Sequence, residues 1–326
     1  MRTYMLSATV SANGKRRRPF TPLARPTQRR CAHDCRPYRR PIMSSPTPSR
    51  PRQRLTPTTA CQLVEQLPQR ERLLLRELAR LRLATTQQLA RLVCPEPASE
   101  IAMRLVRRHL QRLIRSGLVR RFANRARDRK VGAPGHLYAL TMAGVRAMRA
   151  GTGIGTRQRK AYRPSEAFLD HRLAITELYV QLREQERGGG AAVREFASEP
   201  DSWREATGPA GEPLIVKPDA LIRLAIGELE VSWFVEVDRG DTDRNSESTT
   251  VIAAKCRVYM TYELSGVEQQ RHSVFPGVIF VVPSGARARQ ITKVIANLPA
   301  NARDLFAVAT ADEALAVMTH VEEDAA

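Results

Sequence analysis

The chain has 326 residues and carries 53 basic against 33 acidic side chains, a formal charge of +20, and its length suits about two domains. No run of about 18 apolar residues occurs, and the opening MRTYMLSATVSA lacks the apolar centre of a secretory signal, so a cytoplasmic protein that does not enter a membrane is expected. The five cysteines are too few and too scattered for a disulfide framework, which suits a reducing compartment.

Charge divides the chain into three parts. Residues 1–54 hold 14 basic residues and 1 acidic, residues 55–163 hold 23 and 6, and residues 164–326 hold 16 and 26. A basic front attached to an acidic back is the pattern of a chain that binds a polyanion with its first part, and nucleic acid is the obvious partner. Arginine supplies 47 of the 53 basic residues, a bias that a GC-rich genome also produces, so arginine abundance alone decides little.

Residues 1–54 contain the run Lys15 to Arg18 and the stretch SSPTPSRPRQR from Ser44 to Arg54. So much proline and charge cannot bury enough apolar surface to offset ordering entropy, and a disordered basic tail is expected. Such a tail adds non-specific affinity for phosphates. Two other readings stand beside it: an Arg-rich transit-peptide lookalike, or a start at Met43 rather than Met1. The cluster Cys31-Ala-His33-Asp-Cys35 has no second ligand pair at zinc spacing and is expected to bind nothing.

Residues 68–150 read as a winged helix. In QRERLLLRELARLR, Leu74, Leu78 and Leu81 share one helical face. Thr85-Thr86 caps a short second helix with Leu89, Leu92 and Val93. Ser99 caps a third, EIAMRLVRRHLQRLIRS, which stops at Gly117. Ala102, Val106, Leu110 and Leu113 form its buried stripe, while Arg104, Arg108, Gln111 and Arg115 recur on the outer side with Arg107 and Arg112 flanking. Arginine and glutamine suit guanine and adenine edges in the major groove, and flanking arginines suit phosphates. The strand LVRRF, a basic loop with Arg125, Arg127, Arg129 and Lys130, and the strand HLYAL complete the order. The loop would reach a minor groove or backbone phosphates. A solvated surface is the bland reading of an arginine-studded helix, but here element order and charge face agree.

Residues 151–164, GTGIGTRQRKAYRP, follow no strand and open no helix, so they read as a hinge-like linker rather than a dinucleotide loop. Residues 165–320 read as an α-β-β-β-α-β domain. A long helix runs to Arg187, followed by the strands VREFAS, KPDALIRLAIG and ELEVSWFVEVDRG. Alternation places Asp219, Leu221 and Arg223 on one face of the second strand. In the third it places Ser232, Phe234, Glu236 and Asp238 on one face and Val231, Trp233, Val235 and Val237 on the other. With a turn at Gly227, Asp219 falls beside Glu236 and Asp238. Clustered carboxylates cost free energy unless a cation or hydrogen-bond donors offset them, and the usual device is Mg²⁺ or Mn²⁺. The following helix puts Lys255 and Tyr259 one turn apart. The ordinary alternatives are a turn aspartate at Asp219 and pairing of Glu236 and Asp238 with Arg239 and Arg223. His171 reads as a hydrogen-bonded core histidine, and Glu177 as a solvated residue or an outlier of the carboxylate group.

The motifs Pro218-Asp219, Glu236-Val-Asp238 and Lys255-x-x-x-Tyr259 resemble a PD-(D/E)XK nuclease core, and residues 68–320, with FLDHRLAITELYV and FVEVDRG, are similar to the replication-relaxation proteins. The resemblance implies a role in plasmid or mobile-element replication or relaxation, double-stranded DNA as partner, a relaxase or replication initiator as a further one, and Asp219, Glu236 and Lys255 as the catalytic set with Asp219, Glu236 and Asp238 on the metal. One departure stands out: Asp238 occupies the position where the nuclease pattern has lysine. The expected function is therefore a DNA-binding accessory protein whose second domain is nuclease-like. An active Mg²⁺-dependent endonuclease and a winged-helix transcription regulator are the alternatives.

Overall fold

In a computed structural model of the chain, the described residues are 57–94, 99–122, 136–152, 166–239 and 248–320. The expected tail (1–54), most of the expected linker, and the basic loop with Arg125, Arg127, Arg129 and Lys130 lie outside them. The described residues belong to one compact unit.

The first part runs α1 (Pro57–Glu65), α2 (Gln69–Leu81), β1 (Ala84–Thr85), α3 (Thr86–Val93), α4 (Glu100–Arg115), β2 (Val119–Phe122), β3 (Leu137–Leu140) and α5 (Met142–Thr152). The expected three helices and two strands are present. Thr85 caps α3 through a full capping box with Gln88, satisfying two donors that a helix start leaves open. The strands pair antiparallel in the order β1-β3-β2. Leu74, Leu75, Leu78, Leu89, Val106, Leu110 and Leu113 close a common core under them, with Met148 of α5. Helices α1 and α5 were not expected, and α5 extends two residues into the segment read as a linker.

The second part begins with α6 (Glu166–Arg187) and continues β4 (Ala192–Ser198), β5 (Arg204–Thr207), β6 (Pro213–Val216), β7 (Ala220–Ile226), β8 (Leu229–Val237), α7 (Thr249–Leu264), α8 (Val267–His272), β9 (Gly277–Val282), α9 (Gly285–Ala296), α10 (Ala300–Arg303), β10 (Phe306–Thr310) and α11 (Ala314–Thr319). Five strands form one mixed sheet in the order β10-β9-β8-β7-β4. Strands β4, β7 and β8 are antiparallel neighbours, whereas β8, β9 and β10 run parallel. Ile226 pairs with Leu229 across a two-residue turn, and Gly227 there has φ 58, the left-handed region that glycine enters without strain. The β5-β6 hairpin is an insertion not anticipated.

The alternation read for β8 holds. Val231, Trp233, Val235 and Val237 face a core shared with α6 and α11; Phe234 faces one built from α7 and α9. The sheet is thus covered on both sides, as its near-continuous apolar centre requires.

The seam between the two parts is packed rather than hinge-like. Leu81 and Leu92 join the cluster of α6 and the sheet, and Leu83, Leu137 and Leu173 form another across it. Where α2 ends, its carbonyls have no helical partner. Ser198 Oγ donates to Arg80 O at 2.8 Å, Arg172 Nη2 to Leu81 O at 3.3 Å and Thr176 Oγ1 to Leu83 O at 2.8 Å. All three donors belong to the second part, and Arg172 and Thr176 are each 1% exposed.

Thr176→Val keeps shape but strands the buried Leu83 carbonyl, so it should destabilise the protein by about 1–3 kcal/mol. Denaturant unfolding of the variant should show that loss in a single transition common to both parts; two separate transitions in the wild type would contradict the packed seam.

Candidate functional site

Helix α4 starts at Ser99, whose hydroxyl accepts from Ala102 N at 3.1 Å, and ends before Gly117, at φ 77. Ala102, Val106, Leu110 and Leu113 are buried as expected. Arg104, Arg107, Arg108, Gln111, Arg112 and Arg115 are all exposed. Arg104 bonds Glu100 at 2.8 Å, with both side chains well exposed, a pair of little energetic weight.

Beneath this face lies an arrangement that the sequence reading missed. Glu71 of α2 is only 2% exposed, and its Oε1 lies 3.0 Å from His109 Nδ1 and 3.3 Å from Arg112 Nη1. Burying a carboxylate requires such partners. Glu71 thereby ties α4 to α2.

The carboxylates stand at one end of the sheet. Asp219 precedes β7, and its amide donates to Val235 O at 2.9 Å. Its side chain closes the sheet end: Oδ2 accepts from Val237 N at 2.7 Å, and Oδ1 lies 2.9 Å from His171 Nε2 of α6. Burial works against a charged His171 ring, but the hydrogen bond and charge of Asp219 outweigh it and raise its pKa. His171 is thus the hydrogen-bonded histidine expected, with Asp219 as partner.

Glu236, 3% exposed, faces α7. Lys255 Nζ donates to its Oε2 at 2.7 Å and the Tyr259 hydroxyl to its Oε1 at 2.5 Å. Burial, then the nearby Asp219 charge, pushes its pKa up to about 7 against the opposing pull of Lys255. The same surroundings hold the Tyr259 hydroxyl well above its ordinary value, burial first and Glu236 second.

Asp238 points elsewhere. Its Oδ2 accepts from Arg287 Nε at 2.8 Å and also from Arg287 Nη2, both from α9. The alternative pairing with Arg239 and Arg223 does not form: Arg239 lies on Asp170 at 3.1 Å and Arg223 on Glu195 at 3.1 Å. Glu177, its side chain 36% exposed, is partly solvated and is not part of the carboxylate group. It accepts from Gln88 Nε2 at 2.9 Å and pairs with Arg91 of α3.

The resemblance to PD-(D/E)XK nucleases implies a divalent cation on Asp219, Glu236 and Asp238. The three are not brought together as one ligand set, and among the described residues no three His, Cys, Asp or Glu side chains are grouped to hold a metal ion. Both oxygens of Asp219 and both of Glu236 already accept hydrogen bonds, and Lys255 and Arg287 supply the positive charge that a cation would otherwise bring. Hydrogen bonds and ion pairs from within the protein thus meet each of the three carboxylates. A cavity of about 530 Å³ between α3, α6 and the ends of β8 and β9 is lined by Asp238 but not by Asp219, Glu236 or Lys255.

Among the described residues no helix is long and apolar enough to cross a membrane. The family model described as Replication-relaxation matches residues 75–278, from α2 to the start of β9. Neither a curated protein nor a solved structure matches the chain.

Two outcomes follow from this geometry. A carboxyl whose pKa is raised on folding favours the folded state at low pH, and that contribution is lost as pH rises from 4.5 toward about 7 for Glu236. Glu236→Gln should remove this part of the pH dependence of the melting temperature. Millimolar Mg²⁺ should leave the melting temperature unchanged beyond the ionic-strength effect of a matched monovalent salt, because a ligand stabilises only the state that binds it. A selective upward shift would show that the carboxylates do take the ion.

Proposed function

The chain belongs to the replication-relaxation family, whose model covers more than half of it, and on that premise we propose that it is a DNA-binding accessory protein in the replication or relaxation of a plasmid or mobile element. In this reading residues 68–150 are a winged helix, α4 is its recognition helix, and residues 165–320 are a PD-(D/E)XK-like domain that serves as a scaffold. A relaxase or replication initiator is the protein partner proposed for the scaffold.

The observation that carries the reading is the two-sidedness of α4. Its inner stripe is buried while five arginines and Gln111 stand exposed on the outside. Guanidinium groups in that setting meet phosphates and guanine edges, and a glutamine amide meets adenine. The order helix, strand, helix, helix, strand, strand matches the motif that lays such a helix in a major groove. Lys255 beside Glu236 suits the scaffold as much as a nuclease, since it neutralises a buried carboxylate.

Binding of the full chain to duplex DNA should weaken steeply with salt. Replacing Arg107, on which no buried carboxylate depends, should lower the slope of log affinity against log salt by about one, whereas Arg104→Ala with Arg108→Ala should mainly erase preference among sequences. Fluorescence anisotropy on selected and scrambled duplexes at several salt concentrations separates the two effects. No duplex binding at low salt would defeat the proposal. Mg²⁺-dependent cleavage lost in Asp219→Ala would replace the scaffold with a nuclease, and binding confined to a promoter-like site would favour a transcription regulator.

A further inference from the structure

Ile101, in the first turn of α4, is 76% exposed. A single exposed apolar side chain is ordinary on a protein surface, so its placement is what matters. At 100° per residue, Ile101, Arg104, Arg108, Gln111 and Arg115 fall within an arc of about 80°. The buried stripe of Ala102, Val106, His109, Leu110 and Leu113 occupies the opposite side. Ile101 therefore stands at the N-terminal end of the row that carries the guanidinium and amide groups, where recognition helices bring side chains against base edges.

Resting on the reading of α4 as a recognition helix, we propose that Ile101 is a specificity-determining residue that packs on the 5-methyl group of a thymine in the major groove. The chemistry selects that partner. An isoleucine can neither donate nor accept a hydrogen bond, so it gains nothing from phosphates or from the polar edges of guanine, adenine and cytosine. Thymine alone presents a methyl group in the major groove. Isoleucine is branched at Cβ and stiff about χ1, so little side-chain freedom is lost when it docks. Glu100 beside it is engaged with Arg104, which leaves the apolar side chain as the free group of the first turn. The site read by the chain is accordingly mixed: a thymine toward the start of α4, with the purines suited to Arg108 and Gln111 farther along.

The test uses the full-length chain. Duplexes that bind it are selected from a randomised pool, and each thymine of the selected site is replaced singly by uracil, which differs only in that methyl. One position should lose about fourfold in affinity, the value of one buried methyl group. Ile101→Ala should lose a similar factor on the thymine duplex and show no further loss with uracil, and Ile101→Val should restore most of the discrimination. The salt slope should be the same in all three proteins, because no phosphate contact is involved. Equal uracil penalties in the wild type and Ile101→Ala, or a selected site in which no thymine responds, overturn the assignment while leaving DNA binding intact. Failure of the wild type to bind any duplex defeats the DNA reading itself, and this assignment with it.

Discussion

The end of α2 places a demand that shapes the rest of the molecule. A helix that stops inside a core leaves carbonyl oxygens without partners, and each would cost a buried, unsatisfied acceptor. Here the carbonyls of Arg80 and Leu81 at the end of α2, and that of Leu83 just past it, are served by Ser198, Arg172 and Thr176. Because those donors sit on β4 and α6, the first part cannot leave the second without exposing them. Leu81, Leu83 and Leu173 would surface with them. A domain pair that reads as hinged is thereby joined through buried polar contacts, and α4 inherits a fixed direction relative to the sheet.

The carboxylates are each met by groups from elsewhere in the fold. Asp219 takes a sheet-end amide and a histidine, Glu236 takes an ammonium and a phenol, and Asp238 takes a guanidinium. Each negative charge is met within the protein, as buried charges must be. Asp238, two residues after Glu236, turns to α9, where Arg287 is nine-tenths buried against it. Glu236 meanwhile anchors α7 to the sheet through Lys255 and Tyr259.

Periodicity made α2, α3, α4, α6 and the two faces of β8 legible, because each buries an apolar stripe or an alternating face and solvates the other. The losses are equally physical. The segment of α1 has no such stripe in its threonine-rich start, and the β5-β6 hairpin is too short for alternation to register. The site residues that went unrecognised sat on the buried stripes themselves. Glu71 falls three and seven residues before Leu74 and Leu78, and His109 falls between Val106 and Leu113. A charged or titratable residue at a core position was the available signal, since it must find a partner there. His171 obeyed that logic and was anticipated. Which acceptor it meets was not, because pairing between α6 and the end of β7 depends on tertiary contacts that local spacing does not encode.

The distribution of acidic residues finally explains why a strongly basic helix remains available. An acidic second part next to a basic first part would be expected to neutralise it. Two glutamates of α6 that cross the seam, Glu177 and Glu184, both engage Arg91 of α3. Arg187 caps the same helix by donating to the Arg91 and Cys94 carbonyls. These ion pairs between the two parts fall on α3, which faces the sheet domain. Among the described residues no acidic side chain pairs with Arg107, Arg108 or Arg115 of α4. The outer arginines Arg107, Arg108 and Arg115 of α4 therefore stay exposed while the second part holds α3.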